Sequence, residues 1–194
     1  MIGNSATSPL RHTTLSSYHP TMMNWRQKGV GIARIIFGLV WAVDAILKWQ
    51  PQFQNTFVEQ VAAARDGQPG LIQGWISFWT NIVTVNPLLF ARMEATTETA
   101  LAVFLILGIF SNLTFIVGIF VSLSIWTIPE GFGGPYMPGS STDIGTAFPY
   151  ALLFAVLLFL SAGSYYGLDQ WFTSRLGRLG FLAAGSFRRS RKHG

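Results

Sequence analysis

The chain has 194 residues, of which half are hydrophobic and only 11% are charged, and its formal net charge is +5. Soluble proteins average about 25% charged residues, so this composition does not supply an ordinary water-facing surface. There is no cysteine, and the three histidines lie in polar terminal segments, so no haem, iron–sulfur cluster or metal is expected to be held by this chain.

The N-terminal segment 1–28 is polar and rich in Ser, Thr and His. It lacks the apolar core and cleavage site of a secretory signal, and it predicts a disordered cytoplasmic tail. Met22 and Met23 are alternatives to Met1 as the first residue of the translated chain.

Apolar segments dominate the rest of the chain and predict an all-α bundle of four transmembrane helices. A bilayer core of about 30 Å takes about 20 helical residues. The stretch 99–129 carries no charge and is too long for one crossing, so we divide it at the break that Gly108 and the pair Ser111 and Asn112 offer. The four predicted spans cover about 30–49, 87–110, 113–128 and 144–167. Together they form a predicted membrane domain over 29–172.

The connection 50–86 contains two segments with helical periodicity, "FQNTFVEQVAAAR" and "LIQGWISFWTNIV". Each places apolar side chains on one face. These patterns predict short amphipathic helices in the membrane interface, where Trp is favoured, or alternatively a cap packed over the bundle.

Basic residues indicate the orientation of the predicted spans. Three lie in the segment 1–28 and six in the tail 173–194, which is nine of the thirteen in the chain. Both termini are therefore predicted to be cytoplasmic, in a multi-pass protein of the plasma membrane. The connection 50–86 and the loop before the fourth span then face outward together. The basic tail is expected to bind anionic lipid, and no nucleic-acid partner is expected.

Four charged residues lie in the predicted outer half of the first two spans, where burial of charge is costly and marks candidate functional residues. Asp44 and Lys48 are four positions apart, as are Glu94 and Glu98. This spacing places each pair on one helix face, so we expect a single polar cluster and take all four as candidate catalytic residues. The structural alternative is that they form ion pairs that hold two helices together.

Five further residues are candidates for binding a substrate or a quinone ring: Arg34, Trp41, Arg92, Tyr136 and Asp143. Arg34 and Trp41 share the face of the first span that carries Asp44. An aromatic-lined slot beside buried carboxylates suits a quinone ring. Thr142 or Asp143 is also expected to cap the fourth helix, because either side chain can accept a free backbone N–H.

Four stretches of the chain resemble the DoxX/DoxD-like family of membrane proteins. They are "ARIIFGLVWAVDAILKW", "ETALAVFLILG", "GSYYGLDQW" and "FGGPYMPGSSTDIGTA", and the last is the most specific to the DoxD branch. The resemblance covers about residues 26–172. It implies a four-helix bundle that is the membrane subunit of thiosulfate:quinone oxidoreductase. Such an enzyme oxidises thiosulfate to tetrathionate and passes the electrons to a diffusible quinone.

The resemblance also implies a DoxA-like partner subunit on the outer side. In that interpretation Asp44, Glu94 or Glu98 moves the protons that quinone reduction takes up, and Lys48 and Arg34 balance their charge. Two alternatives stay open. One is a non-catalytic accessory subunit of a larger respiratory or photosynthetic membrane complex. The other is a small transporter or channel.

Overall fold

A computed structural model describes residues 24–137, 143–172 and 177–183. Within these ranges the chain forms α-helices and short 3-10 helices and no strand, which confirms the all-helical prediction. The α-helices are α1 (Trp25–Lys48), α2 (Pro51–Ala63), α3 (Gly70–Thr84), α4 (Pro87–Leu107), α5 (Ser111–Thr127), α6 (Ala147–Phe159) and α7 (Asp169–Phe172). The predictions for residues 1–23 and for most of the tail 173–194 fall outside the described residues.

The first helix begins at Trp25, inside the segment that we predicted to be a tail up to residue 28. A reciprocal cap explains the earlier start. The side chain of Asn24 accepts a hydrogen bond from the Gln27 backbone N–H, and the Gln27 side chain accepts one from the Asn24 N–H, both at 3.0 Å. This capping box satisfies two backbone donors that a helix start otherwise leaves unpaired.

The fourth predicted span is longer than the helix that forms there. We predicted 144–167, whereas α6 covers Ala147–Phe159 and a separate 3-10 turn follows at Ala162–Ser164. The backbone before α6 turns at Gly145 with φ +90°, and the backbone after it turns at Ser161 with φ +50°. Both values lie in the left-handed region, which an α-helix cannot include.

Four helices, α1, α4, α5 and α6, form the body of the molecule, and we refer to them as the four long helices because they run between its two ends. Helix α1 packs along α4, α5 packs along α6, and aromatic side chains of α1 and α6 join the two pairs. Glycines allow close approach within each pair, because a methyl group at Gly38 would overlap α4 and one at Gly118 would overlap the ring of Phe154. The central core residues are Phe37, Trp41, Leu101, Ala102, Leu105, Phe115, Phe154, Leu157 and Ala162.

We call the end of the bundle where α1 ends and α4 begins the loop end, and the opposite end the tail end. Helices α2 and α3 lie beside α4 and bury a second apolar cluster of Phe57, Val61, Val83 and Ala91. The turn between α2 and α3 contacts the loop that follows α5, since the buried Gln68 amide donates a hydrogen bond of 2.9 Å to the carbonyl of Gly131. The connection and the loop therefore lie together at the loop end.

Exposed side chains on the four long helices are mostly apolar. On α1 every exposed residue between 32 and 47 is Ala, Val, Leu or Ile. Among the described helices, α1 is the one that is both long enough and apolar enough to cross a membrane by length and composition. Helices α5 and α6 are apolar but have 17 and 13 residues, and α4 carries three charged residues.

Candidate functional site

Lys48 connects three helices at the loop end. As the last residue of α1, it places its ammonium nitrogen 2.5 Å from Oε1 of Glu94 and 3.9 Å from Oε1 of Glu98, both on α4. The same nitrogen lies 4.3 Å from the centre of the Phe53 ring on α2. Glu98 is 2% exposed, and its Oε2 atom has no hydrogen-bond partner among the described residues. The i, i+4 spacing on each helix therefore brings both α4 carboxylates to one cation.

A polar cavity of about 160 Å³ lies beside this cluster. Its lining residues are Trp41, Asp44, Lys48, Glu98, Ile125, Glu130, Thr146, Ala147 and Tyr150. The cavity holds three acidic side chains and one basic one. Two of its buried polar atoms, Glu98 Oε2 and the indole nitrogen of Trp41, have no partner within the part of the chain that the structure describes. Such orphaned groups are costly unless water or a ligand satisfies them.

Glu130 lines the cavity on the side where α6 begins. One carboxylate oxygen accepts a hydrogen bond from the Thr146 hydroxyl, and the other accepts one of 3.1 Å from the Ala147 N–H. Glu130 is thus the residue that caps α6, although it lies 17 positions away. Our prediction that Asp143 caps this helix is wrong. Its Oδ1 atom accepts from the Gly145 N–H at 2.7 Å, in a turn that ends before the helix begins.

Thr142, the other cap candidate, lies outside the described residues. The cap prediction failed for Asp143 because a side-chain cap reaches only the second or third residue of the helix that follows it. Asp143 stands four residues before the first helical residue, Ala147.

An aromatic plug closes the cavity towards the tail end. We define it as Phe37, Trp41, Tyr150 and Phe154. The Phe37 ring lies 4.8 Å from Phe154 and 5.4 Å from Tyr150, edge to face, and the Trp41 ring lies 5.6 Å from Phe154. Phe37, Trp41 and Phe154 are buried, so packed aromatic rings bound the cavity on that side.

An apolar groove of about 390 Å³ runs between α2, α3, α4 and α5. Its mouth includes Met93 and Phe120, which are both exposed. Its inner wall includes Glu94 and Ile125, and Ile125 also lines the polar cavity. The groove and the cavity therefore share one wall, at the place where Glu94 binds Lys48.

A polar vestibule of about 280 Å³ lies at the corner between α1 and α2. Its lining residues are Leu47, Lys48, Gln50, Gln52, Phe53, Thr56 and Gln60. Lys48 lines both the vestibule and the polar cavity. Three glutamines and a threonine give the vestibule a neutral, hydrogen-bonding surface that suits water.

The structure thus brings together five of the nine sequence-predicted site residues. Asp44, Lys48, Glu98 and Trp41 line the polar cavity, and Glu94 reaches it through its ion pair with Lys48. The remaining four candidates lie elsewhere.

Arg92 is exposed on α4 and does not line the cavity. Tyr136 is 59% exposed, and its hydroxyl donates a hydrogen bond of 2.6 Å to the carbonyl of Phe132. Asp143 is exposed and forms the turn described above. Arg34 lies at the tail end of α1, on the far side of the aromatic plug, fully buried.

Arg34 belongs to a second buried polar group at the tail end. Its Nη2 atom donates to the carbonyls of Tyr166 at 2.9 Å and Tyr165 at 3.4 Å. Gly108, which ends α4 with φ +64°, leaves the space that the guanidinium occupies. Asp169 is also buried there and accepts a hydrogen bond of 2.9 Å from the Ser111 N–H at the start of α5. This group joins the segment after α6 to the turn between α4 and α5.

Sequence reasoning missed Glu130, Thr146 and Tyr150. Glu130 is the first acidic residue after the uncharged stretch 99–129, and that isolation was a usable signal. Nothing in the local pattern distinguishes Thr146 or Tyr150 from their neighbours. Tyr150 becomes a site residue because its ring contacts Trp41 of α1, and Thr146 because its hydroxyl binds Glu130.

No protein-family model, no curated protein and no solved structure matches this chain. The resemblance to DoxX/DoxD-like proteins therefore stays a prediction, which rests on the four quoted stretches.

Proposed function

We propose that the chain is a four-span integral membrane protein of the plasma membrane, with both termini cytoplasmic, and the membrane subunit of a quinone-linked oxidoreductase. Charged residues are buried and apolar residues are exposed, which is the reverse of a water-soluble protein, and this distribution supports the membrane architecture. Arg34, Asp169 and Glu98 are buried, whereas the exposed positions of the long helices are mostly apolar. Such a surface is stable against lipid chains and unstable against water.

Three of the four helices approach or exceed the length that a membrane crossing needs. At 1.5 Å per residue, α1 and α4 are about 36 and 32 Å long, and α5 is about 26 Å long. Helix α6 reaches only about 20 Å. The 3-10 turn at Ala162–Ser164 continues in the same segment. Just beyond it, Arg34 satisfies two backbone carbonyls that no helix pairs.

The shared wall of the groove and the cavity carries the proposal for a quinone. A quinone has an apolar tail that travels in the bilayer and a polar ring that accepts electrons and protons. The groove opens between exposed apolar side chains and leads to Ile125, behind which the polar cavity begins. For the ring to lie in the cavity near Lys48 and Glu98 while the tail lies in the groove, the Ile125 side chain must turn aside.

Quinone reduction takes up two electrons and two protons. Glu98 and Asp44 are the groups placed to deliver the protons, and Lys48 stabilises negative charge on the reduced ring oxygens. The electrons come from a donor that a partner subunit binds. The resemblance to the DoxD branch suggests thiosulfate, of which two molecules give one tetrathionate and two electrons, and a DoxA-like partner.

A second candidate function is that of a non-catalytic accessory subunit in a larger membrane complex. The ion pair between Lys48 and Glu94 favours it, because that pair joins α1 to α4 and explains the cluster without chemistry. The two functions differ in what they require of Glu98, a buried carboxylate whose Oε2 atom accepts no hydrogen bond from the described residues.

The test is quinone-analogue reduction by the protein purified from native membranes with whatever subunits co-purify. We expect thiosulfate-dependent reduction that falls about 100-fold or more in Glu98→Gln, the loss typical of a missing proton donor. The matched control is Glu59→Gln, an exposed carboxylate on α2. Full activity of an assembled Glu98→Gln complex supports the accessory function. The absence of thiosulfate-dependent reduction in every preparation excludes the proposed reaction.

A further inference from the structure

We propose that the polar cavity is a one-sided aqueous half-channel, so that protons reach Asp44 and Glu98 only from the loop end, through the vestibule beside Lys48. This inference rests on the proposed four-span architecture, and it adds to the proposed function the side of the membrane from which the protons come. It does not depend on the identity of the electron donor or on quinone chemistry.

The proposed route from the vestibule into the cavity passes Lys48. This side chain is a wall of both the vestibule and the cavity, and it keeps 22% of its surface exposed. Gln50, Gln52 and Gln60 of the vestibule are exposed on the outside of the α1–α2 corner. Lys48 is therefore the residue that lies between the vestibule and the cavity, and its ammonium group is itself a hydrogen-bond donor.

The tail end of the cavity is closed by two successive barriers. The first is the aromatic plug, whose rings lie 4.8 to 6.3 Å apart, with Phe154 fixed against Gly118. The second is Arg34, which is fully buried and lies seven residues, or about 10 Å, below Trp41 on the same helix. A fixed buried cation opposes the passage of protons, as charged constrictions do in water channels.

The charge balance of the cavity suits proton exchange. The charged and titratable groups around Glu98 are Asp44 and Lys48 on α1, Glu94 on α4, Glu130 before α6 and Tyr150 on α6. Four carboxyl groups thus share one cation. Glu98 is buried and Asp44 is half-buried beside this single lysine, which is a setting in which a carboxyl group can take up and release a proton.

One-sided access has a consequence for the energetics of turnover. If the electron donor binds on the loop-end side and the protons also enter from that side, no charge crosses the membrane when the quinone is reduced. The reaction is then electroneutral and builds no membrane potential by itself.

The chain contains no cysteine, so single cysteines can be introduced without background. Two substitutions report on the cavity, Ala147→Cys and Asp44→Cys, and the first exchanges one small side chain for another. Gln52→Cys reports on the vestibule. Ala162→Cys is buried below the plug. The reagent is a membrane-impermeant, positively charged methanethiosulfonate, which the acidic cavity does not repel, added to oriented membrane vesicles that expose either the outer or the cytoplasmic side.

We expect Ala147→Cys and Asp44→Cys to react at least about tenfold faster from the loop-end side than from the tail-end side, and Ala162→Cys to react from neither. Equal rates from both sides overturn the half-channel, as does a lack of reaction at Ala147→Cys in vesicles where Gln52→Cys reacts. The labelling needs no turnover, so it can succeed in a protein without quinone activity. If Gln52→Cys and Lys28→Cys react from the same side, the four-span architecture itself is wrong.

Discussion

Lys48 is the residue on which the candidate site depends most. Its ammonium group compensates two carboxylates of α4, and its stem lies between the vestibule and the cavity. Removing one member of a buried ion pair is more damaging than removing all of it, because an unpaired charge stays behind. The site therefore predicts an asymmetry between single and combined substitutions.

We expect Lys48→Met to destabilise the protein. Breaking a fully buried pair costs about 3–5 kcal/mol, and because Lys48 keeps 22% exposure we expect about 2 kcal/mol here. Adding Glu94→Gln should restore part of the loss, because it removes one of the two carboxylates that were left without a cation. Thermal unfolding in detergent, followed by circular dichroism, measures both effects.

The matched control for this prediction is Lys28→Met, on an exposed position of the same helix, which should leave the unfolding temperature unchanged. If Lys48→Met unfolds at the temperature of the unsubstituted protein, the ion pairs do not stabilise the fold. If the double substitution is less stable than Lys48→Met, the loss does not come from an unpaired carboxylate.

At the scale of the helices, the pair formed by α5 and α6 depends on a single glycine. Gly118 lies against the ring of Phe154, and a methyl group there would overlap three ring carbons. Phe154 also contacts Phe37 and Trp41, so a displaced ring disturbs the plug and the contact between α1 and α6.

Gly118→Ala should therefore cost about 1–3 kcal/mol of folding free energy through overpacking. Phe154→Leu in the same chain should relieve part of that cost, since a smaller side chain leaves room for the methyl group. Gly74→Ala on α3 is the control, because nothing lies within 4 Å of its Cβ and the substitution should stabilise the helix slightly. Additive losses in the double variant, measured by thermal unfolding, would show that the two side chains do not compete for space.

The helices could be predicted from sequence where local signals set their ends. Hydropathy and Pro87 located α4, and a predicted break near Ser111 separated it from α5. In the structure α4 ends at Gly108, whose φ is +64°. The start of α1 was placed too late although Asn24 and Gln27, the residues of its capping box, were visible. The start of α6 was misplaced because its cap, Glu130, comes from a distant part of the chain.

The residues of the candidate site were likewise predictable only where a local pattern marks them. The i, i+4 spacing of charges in apolar segments identified Asp44, Lys48, Glu94 and Glu98, since few residues in this chain are charged at all. Helical spacing alone could not show that Arg34 lies beyond an aromatic plug, because a helix face extends along the whole helix. Tyr150 required the packing of α6 on α1, which no local pattern contains.

At the scale of the whole molecule, two independent features favour the same arrangement. Basic residues concentrate in the segment 1–28 and in the tail 173–194, and the two long loops meet at the loop end through Gln68 and Gly131. The proposed four crossings would explain both features, because they place the termini on one side of the membrane and the loops on the other. The number of crossings stays part of the proposal.

This arrangement predicts an alternating pattern of access for four single cysteines at exposed positions: Lys28→Cys, Asn55→Cys, Asp143→Cys and Gln170→Cys. In a chain without other cysteines, we expect the variants at 55 and 143 to react with an impermeant reagent from one side of the membrane, and those at 28 and 170 from the other. The pattern follows from one crossing by α1, two by α4 and α5, and one by α6. Oriented vesicles of both kinds supply the measurement, and resistance of the protein to alkaline carbonate extraction is the control for integral insertion. Reaction of Asp143→Cys from the same side as Lys28→Cys would mean that one of α4 and α5 does not cross the membrane. The polar cavity would then lie at a water-facing surface. Its buried carboxylates would in that case need no membrane to explain them.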